Sequence, residues 1–306
     1  MEQIFNSHQL TKQYHNITVV DKVDMTVMRG DIYGFVGANG AGKTTIIRLI
    51  CGLAAPSGGR FSLFGIADSS RDIVNARRRT SAIVESPALY TNMSARENFE
   101  LHCRILGINA SGYEQLMRTV GLSDMINSPR KTGNFSLGMK QRLGLALALA
   151  GNPEFIILDE PLNGLDPQGI IDIRELILKL NREKGITFLI SSHILRELSL
   201  VATKYGFISK GKLLKEISAA ELHAGCRRSI DIEVADPAAA ADFLKINLGL
   251  TDIKTDGVTV RVFGDINVGR LVSLLYAESF NIGKVNTHED NLEEYYLKII
   301  GGGENV

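Results

Sequence analysis

Short apolar segments alternate with helical repeats over the first two-thirds of the chain. Residues 31–36, 155–158 and 185–191 are short and mainly apolar, which is typical of strands buried on both faces of a parallel sheet. Residues 167–183, between the last two segments, place isoleucine and leucine at helical spacing. This strand–helix–strand order predicts an α/β fold with a parallel sheet.

The regions around these buried segments have other periods. Residues 1–35 alternate apolar and polar positions in short runs, at 17–20 and 23–27 among others, which predicts an N-terminal antiparallel β subdomain. Residues 60–64 predict another strand. From about residue 92 to residue 152 the pattern is helical, so we expect a helical subdomain at about 86–152.

Two helix boundaries inside this region have clear signals. Ser94 and Glu97 stand at the spacing of a capping box, which predicts a helix start. Residues 137–150 predict a strong helix, which the sequence Gly151-Asn152-Pro153 would end.

Composition shifts near residues 218–228, and a different order of elements follows. The predicted elements alternate as β-α-β-β-α-β with one more helix at the end: strands at 229–235, 250–255, 258–263 and 281–287, and helices at 237–247, 267–277 and 291–300. This order predicts a small α+β module of the ferredoxin-like kind. We therefore expect two domains, residues 1–220 and residues 221–306.

Composition indicates a globular protein that lacks the net positive charge with which proteins attract polyanions. The 306 residues are 44% hydrophobic and 22% charged, and 34 basic residues balance 34 acidic ones. A net charge of zero gives no support to nucleic-acid binding.

Cysteine usage and hydropathy indicate the compartment. The three cysteines, Cys51, Cys103 and Cys226, are far apart and odd in number, so we expect neither a disulfide framework nor a zinc site, and a reducing cytosol fits. We also expect no signal peptide and no membrane span, because no apolar run approaches about eighteen residues. A membrane role would need spans from a separate chain.

A glycine-rich loop is the strongest chemical signal. It fits the pattern Gly-x4-Gly-Lys-Ser/Thr, and its residues are Gly37, Ala38, Asn39, Gly40, Ala41, Gly42, Lys43, Thr44 and Thr45. A predicted strand precedes it and a predicted helix follows, so phosphates would sit at a helix N-terminus. Gly40 and Gly42 leave room for backbone N–H groups around the phosphates, Lys43 can reach the β and γ oxygens, and the Thr44 hydroxyl can ligate Mg²⁺.

A second cluster follows the next two buried strands. Asp159 and Glu160 end the strand at 155–158, and His193 follows the strand at 185–191. Two acids at a strand end can simply be solvated, and a single histidine can be structural. Beside a phosphate loop, however, Asp159 is expected to bind Mg²⁺, Glu160 to orient and deprotonate an attacking water, and His193 to contact the γ-phosphate.

With these motifs in place, residues 1 to about 220 resemble the ATP-binding subunits of ABC transporters. Residues 135–142 are similar to the signature motif of that family, residues 163–166 to its D-loop, His193 to its switch histidine, and Tyr14 to the aromatic residue that stacks on adenine. The fold that this implies is a P-loop NTPase (RecA-like) core.

The resemblance implies a head-to-tail dimer that holds two ATP molecules between its subunits. Ser136 and Gly138 would then contact the γ-phosphate of the ATP held by the other subunit, and Asp166 would lie in the D-loop beside it. Because every motif is present in one chain, we favour a homodimer. The implied partner is a transmembrane permease subunit, which would hold the chain on the cytoplasmic face of the cell membrane.

The chain departs from the family pattern in two motifs. Leu137 and Met139 replace the more common glycine and glutamine of the signature, and Glu85 stands where glutamine is usual. A carboxylate can ligate Mg²⁺ but cannot donate a hydrogen bond, so we hypothesise that Glu85 makes closure of the site more dependent on Mg²⁺. These departures resemble the exporters of the bacitracin-resistance and lantibiotic-immunity subgroup.

Three further expectations remain open. A groove beside residues 85–90 would receive a short helix of the permease, with Leu89 and Tyr90 as candidate contacts and core packing as the alternative. The chain could instead be a soluble ABC ATPase with a non-transport role, although it shows a single cassette and no basic patch. The module at 221–306 could have a regulatory role, which its fold alone does not specify.

Overall fold

The computed structural model describes residues 2–225, 228–264 and 266–289. It forms two compact units, divided between Ala219 and Ala220. The predicted helix at 291–300 and Cys226 lie outside the described residues.

The first unit contains ten described strands and the helices that connect them. The strands are β1 (Gln3–Tyr14), β2 (Ile17–Met28), β3 (Ile32–Val36), β4 (Gly58–Leu63), β5 (Ile66–Ala67), β6 (Thr80–Ile83), β7 (Phe155–Asp159), β8 (Thr187–Ser192), β9 (Lys204–Ser209) and β10 (Lys212–Ser218). The helices are α1 (Lys43–Cys51), α2 (Ile73–Arg78), α3 (Ala95–Leu106), α4 (Tyr113–Thr119), α5 (Leu137–Leu149), α6 (Pro167–Lys184) and α7 (Leu195–Ser199), and α8 (Ala219–Gly225) spans the division.

The central sheet has the order β10-β9-β3-β8-β7-β6. Its strands β6, β7, β8, β3 and β9 are parallel to their neighbours, and β10 is antiparallel to β9. Every residue of β3, β7 and β8 is buried, so the apolar segments predicted these strands correctly. The α/β fold with a parallel sheet is confirmed.

A second, antiparallel sheet has the order β2-β1-β4-β5. The two short runs at 17–20 and 23–27 form one strand, β2, rather than two separate strands. A register shift between Leu10 and Lys12 of β1 marks a bulge in the pairing, and Lys22 has a positive φ of 50°. A bulge leaves an extra residue unpaired without ending the strand. The strand β2 therefore continues between the two runs of alternating apolar and polar residues.

The helical region contains several separate helices. Ser94 and Glu97 form the predicted capping box at the start of α3, since the Ser94 hydroxyl accepts from the Glu97 N–H and the Glu97 carboxylate accepts from the Ser94 N–H. The helix predicted at 137–150 is α5, whose residues from Leu143 to Leu149 are all buried.

The second unit has the predicted β-α-β-β-α-β order. Its elements are β11 (Arg228–Val234), α9 (Pro237–Leu248), β12 (Ile253–Asp256), β13 (Thr259–Phe263), α10 (Val268–Ala277) and β14 (Ile282–Glu289). The sheet has the order β12-β13-β11-β14 with antiparallel neighbours, and Ile232, Leu244, Val260 and Leu271 lie in its own buried core. A split β-α-β arrangement of this kind is ferredoxin-like.

Tight packing inside the first unit makes one glycine essential. Tyr33 of β3 is fully buried, and its hydroxyl donates a 2.8 Å hydrogen bond to Glu216. A methyl group at Gly206, on the neighbouring strand β9, would overlap the Tyr33 hydroxyl. The ring passes over the strand at a place where only glycine leaves space.

We predict that Gly206→Ala lowers the free energy of unfolding by about 3 kcal/mol, because the tyrosine must leave its place and its hydrogen bond. Urea unfolding followed by circular dichroism measures this. The control is Gly58→Ala in β4, where the added methyl would meet only the Thr11 Cβ at 3.6 Å. Equal effects of the two substitutions would contradict the prediction.

Candidate functional site

The glycine-rich loop joins the end of β3 to the start of α1, as the sequence predicts. Gly40 and Gly42 have positive φ values of 78° and 110°, which favour glycine over other residues. A Cβ at Gly37 would come 2.5 Å from the Ile208 carbonyl oxygen, and one at Gly42 would come 2.9 Å from the Val19 carbonyl oxygen. The loop therefore depends on three glycines, and it presents backbone N–H groups at the start of α1.

Lys43 lies inside this loop with only 5% of its surface exposed. Its ammonium donates a 2.6 Å hydrogen bond to the Gly37 carbonyl oxygen and lies 3.2 Å from Glu160 Oε1. The Glu160 contact has the distance of an ion pair but not the angles of a hydrogen bond, and among the described residues Oε1 accepts no hydrogen bond. A buried positive charge thus faces the interior of the loop, where phosphate oxygens would lie.

Asp159, the last residue of β7, is 2% exposed and holds two hydroxyl groups. Thr44 donates a 2.8 Å hydrogen bond to Oδ2, and Ser191 donates a 2.5 Å hydrogen bond to Oδ1. The structure therefore brings together two of the three residues that the sequence predicts as Mg²⁺ ligands, Thr44 and Asp159.

Glu160 and His193 are also brought together. His193 Nδ1 lies 2.8 Å from Glu160 Oε2, and Glu160 has a left-handed backbone with φ of 50°. This turn at the end of β7 directs the two neighbouring acids to different partners: Asp159 contacts Thr44, and Glu160 contacts Lys43 and His193.

The donor set fits a magnesium ion that is bound together with phosphates. Thr44 Oγ1 and Asp159 Oδ2 are hard oxygen ligands 2.8 Å apart. Within the described residues, no three His, Cys, Asp or Glu side chains form a group that could hold a metal ion by themselves. Mg²⁺ commonly takes one or two protein oxygens and completes its shell with phosphate and water, so the two statements agree.

Four other predicted residues stand at loop ends and helix starts. Tyr14 ends β1 and is 39% exposed, with the Lys12 ammonium 4.8 Å from its ring centroid. Ser136 caps α5 by accepting a 3.2 Å hydrogen bond from the Met139 N–H, and Asp166 occupies the N-cap position of α6. At Gly138 an added Cβ would meet only ordinary contacts, so the space beside the backbone is open.

Glu85 is placed differently from the Mg²⁺ ligand that the sequence predicts. Its Oε1 accepts a 2.7 Å hydrogen bond from Arg48 of α1, and its side chain is 65% exposed. The structure brings this carboxylate to Arg48, one turn of α1 beyond Thr44, and the contact found for it among the described residues is this ion pair. Glu85 also has a positive φ of 63°.

One residue of the site was not singled out by the sequence. Ser191 is fully buried in β8, and the parallel register sets it opposite Asp159 of β7. Its hydroxyl accepts a 2.9 Å hydrogen bond from the Glu160 N–H besides donating to Asp159. The available signal was a polar residue closing an apolar strand that runs beside the strand of the two acids.

A cavity of about 370 Å³ lies in the helical region, and Leu89, Tyr90, Leu101, Ile105 and Leu147 are among its lining residues. The loop that presents Tyr90 is held firmly, because buried Asn98 accepts from the Tyr90 N–H at 2.8 Å and donates to the Tyr90 carbonyl at 3.1 Å. Tyr90 itself is 53% exposed.

None of the helices in the described part of the chain combines the length and the apolar character needed to cross a membrane.

Burial raises the pKa of the Cys51 thiol to about 11, so this residue at the end of α1 is protonated at neutral pH, as a small core residue should be.

Comparisons with known proteins agree with these features. The family model described as ABC transporter matches residues 20–163. The chain is 39% identical to the bacitracin transport ATP-binding protein BcrA of Enterococcus faecalis, over 99% of this chain and 98% of that protein. It is 40% identical to BcrA of Bacillus licheniformis, over 99% of both.

A lantibiotic relative and two solved structures show the same likeness. The lantibiotic transport ATP-binding protein SrtF of Streptococcus pyogenes is 42% identical over 68% of this chain and 87% of its own length. An ATP-binding subunit of an ABC transporter is 28% identical, with a TM-score of 0.63 over 72% of this chain and 92% of that one. A dimeric ATP-binding cassette, MJ0796 with ADP and phosphate, is 25% identical, with a TM-score of 0.63 over 70% of this chain and 98% of that one.

Proposed function

Because this chain belongs to the ATP-binding proteins of ABC transporters, which bind and hydrolyse ATP, we propose that it powers an exporter of peptide antibiotics such as bacitracin or a lantibiotic. The relatives named for bacitracin transport support this substrate class, since their likeness covers both units of the chain. The juxtaposition of Lys43, Asp159, Glu160 and His193 around one loop is the observation that carries the ATPase mechanism.

Each site residue has a role that its contacts support. Thr44 and Asp159 would hold Mg²⁺, which when bound neutralises charge on the β and γ phosphates. Lys43 reaches the phosphates from inside the loop. Glu160 orients the attacking water and takes its proton, and His193 holds the Glu160 carboxylate in place and contacts the γ-phosphate.

We also propose a homodimer with two composite sites. Ser136 and Gly138 stand at the N-terminus of the 13-residue helix α5, where a hydroxyl and open backbone can meet the γ-phosphate held by the other copy. Asp166 would lie beside the same phosphate, and exposed Tyr14 would stack on adenine. A single chain with every motif supports two identical subunits.

We propose the cavity beside Leu89 and Tyr90 as the docking site of the permease. Its lining is largely apolar, it has room for side chains of a short helix, and Asn98 fixes the loop that borders it. A permease docked there would hold the chain at the cytoplasmic face of the membrane. The same loop region contains Glu85, so permease motion can be passed toward α1.

The export role is tested by Glu160→Gln exchanged at the chromosomal locus of the native host. Removing the base is expected to lower ATP turnover about a hundredfold or more, and resistance to bacitracin or to a lantibiotic should fall to that of a deletion strain. The control is Glu114→Gln, at a surface carboxylate paired with Arg118. Unchanged inhibitory concentrations for both peptides, with turnover lost, would contradict export of this class.

The Mg²⁺ hypothesis is tested by Glu85→Gln. Replacing the negative charge near the triphosphate should lower the Mg²⁺ concentration for half-maximal ATPase activity by about threefold. Arg48→Ala is the matched control, because it also breaks the 2.7 Å ion pair but keeps the carboxylate. An identical Mg²⁺ curve for Glu85→Gln and the unmodified protein would refute the hypothesis.

A further inference from the structure

A single buried hydroxyl connects the two acidic residues of the site. Ser191 lies in β8 with no exposed surface, and the strand register places it directly beside Asp159. The neighbouring hydroxyl, that of Ser192, turns instead to the chain after it, accepting from the Ile194 N–H at 2.9 Å. Ser191 therefore differs from its neighbour in pointing into the site.

The Ser191 hydroxyl both donates and accepts. It donates a 2.5 Å hydrogen bond to Asp159 Oδ1 and accepts a 2.9 Å hydrogen bond from the Glu160 N–H. The other oxygen of Asp159 is held by Thr44 at 2.8 Å, so each oxygen of this buried carboxylate has its own hydroxyl partner. The Ser191 contact thus fixes which oxygen faces Thr44 and the phosphate loop.

The same hydroxyl supports a strained turn. Glu160 has a φ of 50°, which residues other than glycine rarely adopt, and such a conformation persists only where surrounding contacts enforce it. The Glu160 N–H donates to two oxygens of Ser191, the hydroxyl at 2.9 Å and the backbone carbonyl at 3.2 Å. This anchoring sets the direction in which the Glu160 carboxylate leaves the backbone, toward His193 and Lys43.

We propose that Ser191 is a positioning residue for ATP hydrolysis, whose hydroxyl aligns Glu160 and Asp159 at the same time. The inference rests on the proposed roles of these two acids. A hydroxyl is needed because one group must donate to a carboxylate and accept from an N–H. A methyl group does neither, and a thiol does both weakly.

Ser191→Ala should lower kcat by about tenfold to a hundredfold, the usual effect of losing a group that orients a metal or catalytic ligand. The KM for ATP should change by no more than about twofold, because within the described residues the hydrogen bonds of this hydroxyl go to Asp159 and Glu160, whereas Lys43 is held by the Gly37 carbonyl. Calorimetric titration with ATP gives a readout besides turnover: the gain in affinity from Mg²⁺, measured against EDTA, should shrink as Asp159 loses its partner.

Thr187→Ala is the matched control. Thr187 is a fully buried hydroxyl at the other end of β8, and it accepts a 2.9 Å hydrogen bond from the Gly30 N–H. Its loss should lower thermal stability comparably but leave kcat and the Mg²⁺ effect unchanged. Ser191→Cys keeps the shape of the side chain but exchanges the hydroxyl for a slightly larger, weakly hydrogen-bonding thiol, so it should behave like Ser191→Ala. Ser191→Thr keeps the hydroxyl and should retain most of the activity.

The outcomes separate the two levels of the argument. If Glu160→Gln retains turnover, the proposed role of Glu160 fails, and the inference about Ser191 fails with it. If Glu160→Gln is inactive while Ser191→Ala and Ser191→Cys keep the kcat of Thr187→Ala, then Ser191 is only structural and the inference alone is overturned. Should Ser191→Ala fail to fold, Ser191→Cys decides the question in the same way.

Discussion

The site depends on one buried charge. The Lys43 side chain is almost completely buried. A buried ammonium is stable only where carbonyl oxygens and a carboxylate face it. The Gly37 carbonyl and Glu160 do so here, and Glu160 is in turn held by His193. Lys43, Glu160 and His193 therefore constrain one another. The glycine-rich loop has the shape that lets the Lys43 side chain point into the interior of the loop.

The topology of the sheet brings these residues together around the Lys43 ammonium. The strands β3, β7 and β8 are parallel neighbours, so their carboxyl ends lie at the same edge, although they are far apart in the chain. The loop after β3 supplies Lys43 and Thr44, the end of β7 supplies the two acids, and the end of β8 supplies Ser191 and His193. The fully buried strands fix these ends, because a slip of one residue would move every buried side chain.

Much of this arrangement can be predicted from the sequence, because its signals are local. The glycine spacing, the apolar strands and the capping box at Ser94 depend on a few adjacent residues, and the structure has each of them where the pattern predicts it. The second unit follows the same rule, since six elements in order define a ferredoxin-like sheet.

The remaining features depend on contacts between distant residues. The role of Ser191 requires the register of β7 against β8, the pairing of Glu85 with Arg48 requires the path of a loop relative to α1, and the single strand β2 requires a bulge against β1. None of these has a pattern of its own in the sequence. They are therefore visible only in the folded chain.

The most direct test of the central claim is the oligomeric state of Glu160→Gln, measured by light scattering with ATP and Mg²⁺, beside the ATP turnover of the unmodified protein. We expect Glu160→Gln to form a dimer only with ATP, and only the unmodified protein to turn over ATP. A monomer that still hydrolyses ATP would contradict this expectation, because neither Glu160 as the base nor Ser136 as a contact across the dimer would then stand.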